Sequence, residues 1–139
     1  MGSQATSIAD QVERFVAQLN RVLQVERVIL FGSHAYGRPR EWSDIDVAVI
    51  SSAFAGMGRV ARLEWLERAA WEAKAHAVEP VGFTWEEYVE ASDLSLIGEV
   101  REKGVVIYDA NRPERTPAVV LRERRAGYES AKKDEGGSS

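Results

Sequence analysis

The chain has 139 residues, of which 45% are hydrophobic and 29% are charged, as expected for one soluble folded domain. It has no cysteine, which excludes disulfides, a thiol nucleophile and zinc–cysteine sites, and its two histidines lie far apart, so carboxylates are the ligands left for any metal. The net charge of −4 argues against nucleic-acid binding that depends mainly on phosphate neutralisation. We also expect no contact with membranes and a cytoplasmic location, because no leader and no apolar run of roughly 20 residues is present.

Sequence patterns in the first half of the chain predict two helices and two buried strands. Apolar residues at three- and four-residue spacings between positions 6 and 23 predict an amphipathic helix. Two short runs rich in Val and Ile, Arg27–Phe31 and Asp44–Ile50, predict buried strands. A second apolar stripe predicts a helix between residues 58 and 75. The members of that stripe are Val60, Leu63, Leu66, Ala70 and Ala73.

The next part of the chain predicts a third strand and two short helices. The strand is His76–Phe83, in which Pro80 lacks a backbone N–H and therefore favours an edge strand or a bulge. Thr84 and, three residues later, Glu87 form a capping box that predicts the start of a helix. A further helix is expected to end at Gly104.

A last strand, Val105–Tyr108, precedes a change in composition. The segment NRPERTP is rich in residues that break secondary structure, and the sequence after it is charged apart from one apolar patch, Val119–Leu121. We expect this tail to be either disordered or a helix that docks on another surface.

The most informative stretch is FGSHAYGRPREWSDIDVAVIS, residues 31–51. Residues two apart on a strand point to the same face about 6.5 Å apart, so Asp44 and Asp46 are expected to present two neighbouring carboxylates. Such oxygen ligands suit Mg²⁺, which readily keeps the phosphates of a nucleoside triphosphate among its other ligands. Gly32 and Ser33 follow a strand, and a helical turn after them would offer backbone N–H groups and a hydroxyl to a phosphate. The stretch therefore predicts a phosphate site that faces a metal site.

Gly32-Ser33, ten intervening residues and Asp44-Ile45-Asp46 resemble the signature of the DNA polymerase β-type nucleotidyltransferases. In so short a chain the pattern is similar to their minimal nucleotidyltransferase (MNT) branch. Further positions that match this branch are Ala35, Gly37 and Ser43. The resemblance covers residues 5–109 and implies an α/β (α+β) nucleotidyltransferase fold, with a small mixed β-sheet of about four strands flanked by helices. Residues 110–139 lie outside it, as a linker and a charged C-terminal tail.

The resemblance also implies the roles of individual residues. Asp44 and Asp46 would hold one or two Mg²⁺ ions, and Gly32 and Ser33 would bind the triphosphate of ATP. A third carboxylate is expected on a following strand, and Glu79 is the candidate, both as a metal ligand and as the general base toward an acceptor hydroxyl. Glu79 stands where the family more usually has an aspartate.

Three functions follow as hypotheses. The first is Mg²⁺-dependent transfer of AMP from ATP to a hydroxyl, and the resemblance implies a tyrosine of a HEPN-domain ribonuclease toxin, with this chain as the antitoxin. The second is an inactive or weakly active nucleotidyltransferase-like protein that neutralises a partner by binding it. The third is a nucleotidyltransferase that modifies a small molecule, such as an aminoglycoside. The sequence is compatible with a monomer and with a homo-oligomer.

Several other side chains have two interpretations each. Arg38 and Arg40 either neutralise the triphosphate or are ordinary polar loop residues, and His34 either touches a phosphate or is a solvated loop residue. Trp65 and Trp71 lie on opposite flanks of the second helical stripe, so one of them faces a partner or both cover the rim of the core.

Overall fold

The computed structural model describes residues 4–36 and 44–124 of the chain. Its strands are β1 (Arg27–Phe31), β2 (Ile45–Ile50), β3 (Val78–Phe83) and β4 (Val105–Asp109). Its helices are α1 (Gln4–Val22), α2 (Ser33–Tyr36), α3 (Arg59–Glu72), α4 (Trp85–Glu90), α5 (Leu96–Lys103) and α6 (residues 117–124). A short 3₁₀ turn, Ser52–Phe54, follows β2. None of the helices in these two ranges combines the length and the apolar character needed to cross a membrane.

The strands form one mixed sheet in the order β3, β2, β1, β4. β1 runs antiparallel to both β2 and β4, whereas β2 and β3 are parallel. Parallel neighbours cannot be joined by a tight hairpin, and α3 provides the crossover that connects them. The predicted fold class, a small mixed sheet of four strands flanked by helices, is confirmed.

Helices cover both faces of the sheet, and this explains why β1 and β2 are almost wholly apolar. Side chains alternate between the two faces along a strand, so a strand buried on both sides shows no polar alternation. The layer under α1 and α3 includes Phe15, Leu19, Val28, Leu30, Val47, Val49 and Leu66. The layer under α4 and α5 includes Ile29, Phe31, Ala48, Ile50, Tyr88, Ile97 and Val100. The sheet is therefore held in place from two sides.

The predicted strands are confirmed with small changes at their ends. β1 has the predicted bounds, β2 begins at Ile45 rather than at Asp44, and β3 begins at Val78. Pro80 favoured an edge strand or a bulge, and β3 does lie at an edge of the sheet. Its register against β2 runs without interruption to Phe83, so the bulge is not formed.

The predicted apolar stripe of the second helix is wrong at its first turn. Val60 is 69% exposed and Leu63 is 40% exposed, while Arg62 is only 9% exposed. The Arg62 guanidinium replaces an apolar side chain because it has partners on several elements. It donates to the carbonyl oxygen of Met57 at 2.9 Å and to that of Gly82 at 3.2 Å. The other predicted members of the stripe, Leu66, Ala70 and Ala73, are buried.

Glu87 completes the environment of Arg62 and also begins α4. Its carboxylate lies 2.6 Å from the Arg62 guanidinium and accepts the backbone N–H of Thr84 at 2.7 Å. The Thr84 hydroxyl in turn accepts the backbone N–H of Glu87, so the predicted capping box is confirmed. The hydrogen bond from Arg62 is the main reason why the pKa of Glu87 lies below its ordinary value. One carboxylate thus caps a helix and neutralises a nearly buried cation.

Replacing Glu87 with glutamine should lower stability in a pH-dependent way. Glutamine can still cap α4 but cannot neutralise the charge of Arg62. Because Glu87 is about half exposed, solvent screens its interaction with Arg62, and we expect the free energy of unfolding to fall by only about 1 kcal/mol at neutral pH. The pKa of Glu87 is lower in the folded state than its ordinary value of 4.5, so the ionised group stabilises the folded protein at pH values above 4.5. This stabilisation is lost as the pH falls through the pKa of the folded state. The difference between the wild type and Glu87→Gln, measured by urea denaturation, should therefore shrink at acidic pH. Glu86→Gln, in the same first turn, is the control and should have little effect; a difference that does not depend on pH would contradict this explanation.

Candidate active site

The turn between β1 and α2 brings the backbone against a carboxylate of the neighbouring strand. Gly32 has a φ of +73°, in the left-handed region that side chains disfavour. A Cβ atom added to Gly32 would lie 2.3 Å from Oδ2 of Asp46, which is closer than any real contact of this kind. The turn is closed by the backbone N–H of Ala35, which donates to the Gly32 carbonyl at 3.0 Å. Glycine is thus required both for the conformation and for the approach to Asp46.

The register of the sheet places two of the predicted carboxylates side by side. Asp46 is paired with Phe31 on β1 and with Glu79 on β3. Both carboxylates therefore point to the same face of the sheet, near the first residues of the two parallel strands. Asp44 lies just before β2 and is exposed. It is two residues from Asp46, on the side from which the chain enters the strand.

The electrostatics show that these three carboxylates share one environment. Burial raises the pKa of Asp46, the charge of Asp44 raises it further, and His34 on α2 lowers it. Burial also raises the pKa of Glu79, followed by the charge of Asp44, a hydrogen bond with its side chain, and the charges of Asp46 and Glu67. A nearby negative charge disfavours ionisation of a carboxyl group, and this adds to the effect of burial on Asp46 and Glu79. Asp46 and Glu79 therefore ionise less readily than ordinary carboxyl groups.

A hard divalent cation fits this set of donors. Within the described ranges, no three His, Asp or Glu side chains converge in the way that the ligands of a single bound ion do. Mg²⁺ does not need such a protein cage, because it is usually held by one or two carboxylates together with water and substrate phosphates. The carboxylate oxygen atoms of Asp44 and Asp46 agree with that type of binding.

A cavity of about 490 Å³ extends from the carboxylates along the outer edge of β3 toward α3. Its lining includes Asp46, Leu63, Glu67, Trp71, His76, Glu79 and Val81. Trp71 is 72% exposed and makes an edge contact with the His76 ring at a centroid distance of 5.1 Å. Trp65, by contrast, packs against the core. The cavity thus joins an acidic end to an exposed aromatic surface.

The structure brings most of the sequence-predicted site residues together. Gly32 is in contact with Asp46, Glu79 pairs with Asp46, and Ser33 begins α2 directly after the glycine. Other predicted positions lie outside the described residues. They are Gly37, Arg38, Arg40 and Ser43.

Two residues near the site were not identified from the sequence. Glu67 contributes to the raised pKa of Glu79, and its only sequence signal is a place on a predicted helix. Arg124 contacts α2 from the C-terminal tail, where nothing in the pattern pointed to the site.

The comparison with known families agrees with this geometry. Residues 9–107 match the family model of the nucleotidyltransferase domain. The chain belongs to this family. Its class of reaction is therefore nucleotidyl transfer, and the resemblance seen in residues 31–51 is confirmed. No curated protein sequence matches the chain significantly.

Two solved structures share the fold at low sequence identity. A candidate nucleotidyltransferase from Sulfolobus solfataricus is 19% identical, with a TM-score of 0.61, over 81% of this chain and 94% of that chain. A chain from a toxin–antitoxin structure with AMP-PNP is 20% identical, with a TM-score of 0.50, over 90% of this chain and 94% of that chain. At these identities the likeness establishes a common fold.

The contact between Gly32 and Asp46 can be tested with a matched pair of glycine variants. Gly56 has a similar φ of +82°, but a Cβ atom added there would meet nothing within 4 Å. Gly56→Ala should cost about 1–2 kcal/mol for the left-handed backbone. Gly32→Ala should cost roughly 1–3 kcal/mol more, because it also displaces the Asp46 side chain. Urea denaturation of both variants measures the difference, and equal losses would show that the close contact has no energetic consequence.

Proposed function

We propose that this protein transfers AMP from ATP, with Mg²⁺, to the hydroxyl group of a tyrosine in a HEPN ribonuclease toxin, and that it acts as the antitoxin. The observation that carries the proposal is the approach of the Gly32 backbone to Asp46, with Glu79 opposite on β3. In this proposal one side of the site binds the nucleotide and the other side binds the acceptor.

The nucleotide side consists of the β1–α2 turn and the first carboxylates. Gly32 and Ser33 would contact the triphosphate through the backbone and the Ser33 hydroxyl. Asp44 and Asp46 would hold Mg²⁺, which supplies positive charge to the phosphates when it is bound. The nearby acidic charges that raise the pKa values of Asp46 and Glu79 support this assignment, because a bound cation would offset them.

Glu79 is suited to take the proton of the acceptor. A general base works best when its pKa is not far below the working pH, and the pKa of Glu79 lies above its ordinary value of 4.5. In the proposed step the acceptor oxygen bonds to the α-phosphorus, the bond to the bridging oxygen breaks, and pyrophosphate leaves. The hydroxyl proton passes to the Glu79 carboxylate. Glutamate is one methylene longer than the aspartate that is more usual in the family, which extends the reach of this base from the edge strand.

The acceptor would approach through the cavity beside β3. Because Glu79 lines this cavity, a hydroxyl that enters it meets the proposed base. The half-exposed Leu63 and the exposed Trp71 offer an apolar and aromatic surface next to that carboxylate. Aromatic rings prefer edge-to-face and offset contacts with one another, so this surface is compatible with the ring of a tyrosine.

A protein acceptor is supported by one of the structural comparisons. The chain from the toxin–antitoxin structure has the same fold, and that structure was determined with AMP-PNP. The HEPN partner and its tyrosine come from the resemblance of residues 31–51 to the MNT branch. The competing possibility is a nucleotidyltransferase-like protein that binds a partner without modifying it. The glutamate at position 79, where the family more usually has an aspartate, is followed directly by Pro80 and is the feature that favours this alternative.

Transfer can be tested with the full chain and its co-purified HEPN partner. After incubation with ATP and Mg²⁺, the partner should gain the mass of one AMP per modified tyrosine in intact-protein mass spectrometry. Asp44→Asn together with Asp46→Asn should abolish the gain, while Asp93→Asn, which changes an exposed carboxylate outside the site, should not. A stable complex without any added AMP would favour the partner-binding alternative. Transfer to an aminoglycoside but not to the partner would identify a small-molecule enzyme.

Trp71→Ala tests the acceptor side separately from the nucleotide side. Loss of an exposed aromatic contact should slow transfer to the partner by roughly ten-fold, in the range of an interface hot spot. Binding of AMP-PNP, measured by calorimetry, should remain unchanged because Trp71 belongs to α3 and is not one of the residues that we assign to the nucleotide. Leu94→Ala removes another side chain, 98% exposed, that does not line the cavity, and serves as the control. Unchanged transfer by Trp71→Ala would show that the acceptor does not use this surface.

A further inference from the structure

The C-terminal helix α6 reaches the turn that we assign to the nucleotide, although it lies outside the region that matches the family. The match ends at residue 107, whereas α6 comprises residues 117–124. At its last described residue, Arg124 donates from Nη1 to the His34 carbonyl oxygen at 3.3 Å and from Nη2 to the Ala35 carbonyl oxygen. Both acceptors belong to α2, directly after Gly32 and Ser33.

Packing and capping interactions hold α6 in place. Pro117 is buried in its first turn, and the Ala118 backbone N–H donates to the Glu13 carboxylate of α1 at 2.7 Å. Proline and an acidic acceptor are both favourable at a helix start, where backbone N–H groups lack partners. Val120 is 8% exposed and belongs to the core under α1 and α3. Arg124 therefore extends toward α2 from an anchored helix.

The contact meets a physical need of α2. This helix has only four residues, and an isolated turn of that length is not stable by itself. The last carbonyl groups of a helix point away from it and accept hydrogen bonds from outside, and Arg124 donates to two of them, those of His34 and Ala35. A guanidinium has several donors in one plane and can serve both carbonyls at once, which an ammonium group does less well.

The position of α2 matters to the site because it carries Ser33 and His34. Ser33 directly follows Gly32, whose backbone faces Asp46, and His34 is the next residue of α2. A shift of α2 would move both residues relative to the carboxylates. Arg124 therefore acts on the nucleotide side of the site through the backbone of α2.

We propose that Arg124 is a positioning residue for nucleotide binding: α6 uses it to fix the turn of residues 32–36 against Asp46. The proposal rests on the proposed function, since it assigns the triphosphate to this turn. It extends the functional site beyond the family domain into the C-terminal helix.

The test compares four full-length proteins: wild type, Arg124→Ala, Arg124→Lys and Arg122→Ala. Arg122 is an exposed arginine on the same helix and controls for loss of charge. With Mg²⁺ present, calorimetry should show that Arg124→Ala binds AMP-PNP roughly ten-fold more weakly, the usual effect of losing charge-assisted hydrogen bonds. Arg124→Lys should recover only part of the affinity, and Arg122→Ala should bind as the wild type does. Melting temperatures should be close to that of the wild type in all variants.

Amide hydrogen exchange provides a readout that a general structural effect would not reproduce. Without nucleotide, Arg124→Ala should exchange faster than the wild type in the peptide that contains residues 32–36, with β4 unchanged. If the wild type binds and Arg124→Ala binds equally well, the positioning role is overturned while the proposed function stands. Weaker binding without faster exchange in this peptide would also overturn it, because Arg124 would then act directly on the ligand. A wild type that fails to bind AMP-PNP would overturn the proposed function and this inference together.

Discussion

The contact between the Gly32 backbone and the Asp46 carboxylate is the constraint on which the rest of the site depends. It requires a glycine with a left-handed backbone conformation directly after β1 and a carboxylate near the start of β2. The antiparallel register then fixes Asp46 opposite Phe31, and the parallel register fixes Glu79 opposite Asp46. A one-residue slip of either strand would turn these side chains to the other face. The sheet therefore defines the geometry of the site.

The site is electrostatically unfavourable by itself. Asp46 and Glu79 both have raised pKa values because of desolvation and the nearby charge of Asp44, although Glu79 is the more exposed of the two. A carboxyl group whose pKa is raised by folding binds its proton more tightly in the folded state, so it favours folding at low pH. This contribution is lost as the pH rises through the pKa of the folded state, and at neutral pH the ionised groups oppose folding. Apolar layers on both faces of the sheet provide the stability that offsets this repulsion. A bound cation would remove it, which links ligand binding to the stability of the domain.

Local signals in the sequence were sufficient for the individual strands and for the central motif, but not for the order of the strands in the sheet. The runs around Val28 and Val47 form β1 and β2, Pro80 lies on the edge strand β3, and the capping box at Thr84 begins α4, each for a short-range physical reason. The sequence did not reveal that Arg62 would be buried, because its partners come from three separate segments. The contact of Arg124 with α2 was missed for the same reason: about 90 residues separate the two groups. Tertiary contacts of cations are not visible in helical periodicity.

The most direct test of this account is to locate the divalent cation itself. Mn²⁺, which also prefers oxygen ligands and broadens nearby NMR signals, can be titrated into isotopically labelled protein in the presence of AMP-PNP. We expect the amide signals of Gly32, Ser33, Asp46 and Glu79 to broaden first, and this effect to disappear when Asp44 and Asp46 are both replaced by asparagine. Broadening that begins on another acidic surface, such as the exposed side of α3, or that persists in the double variant, would contradict the assignment of the site.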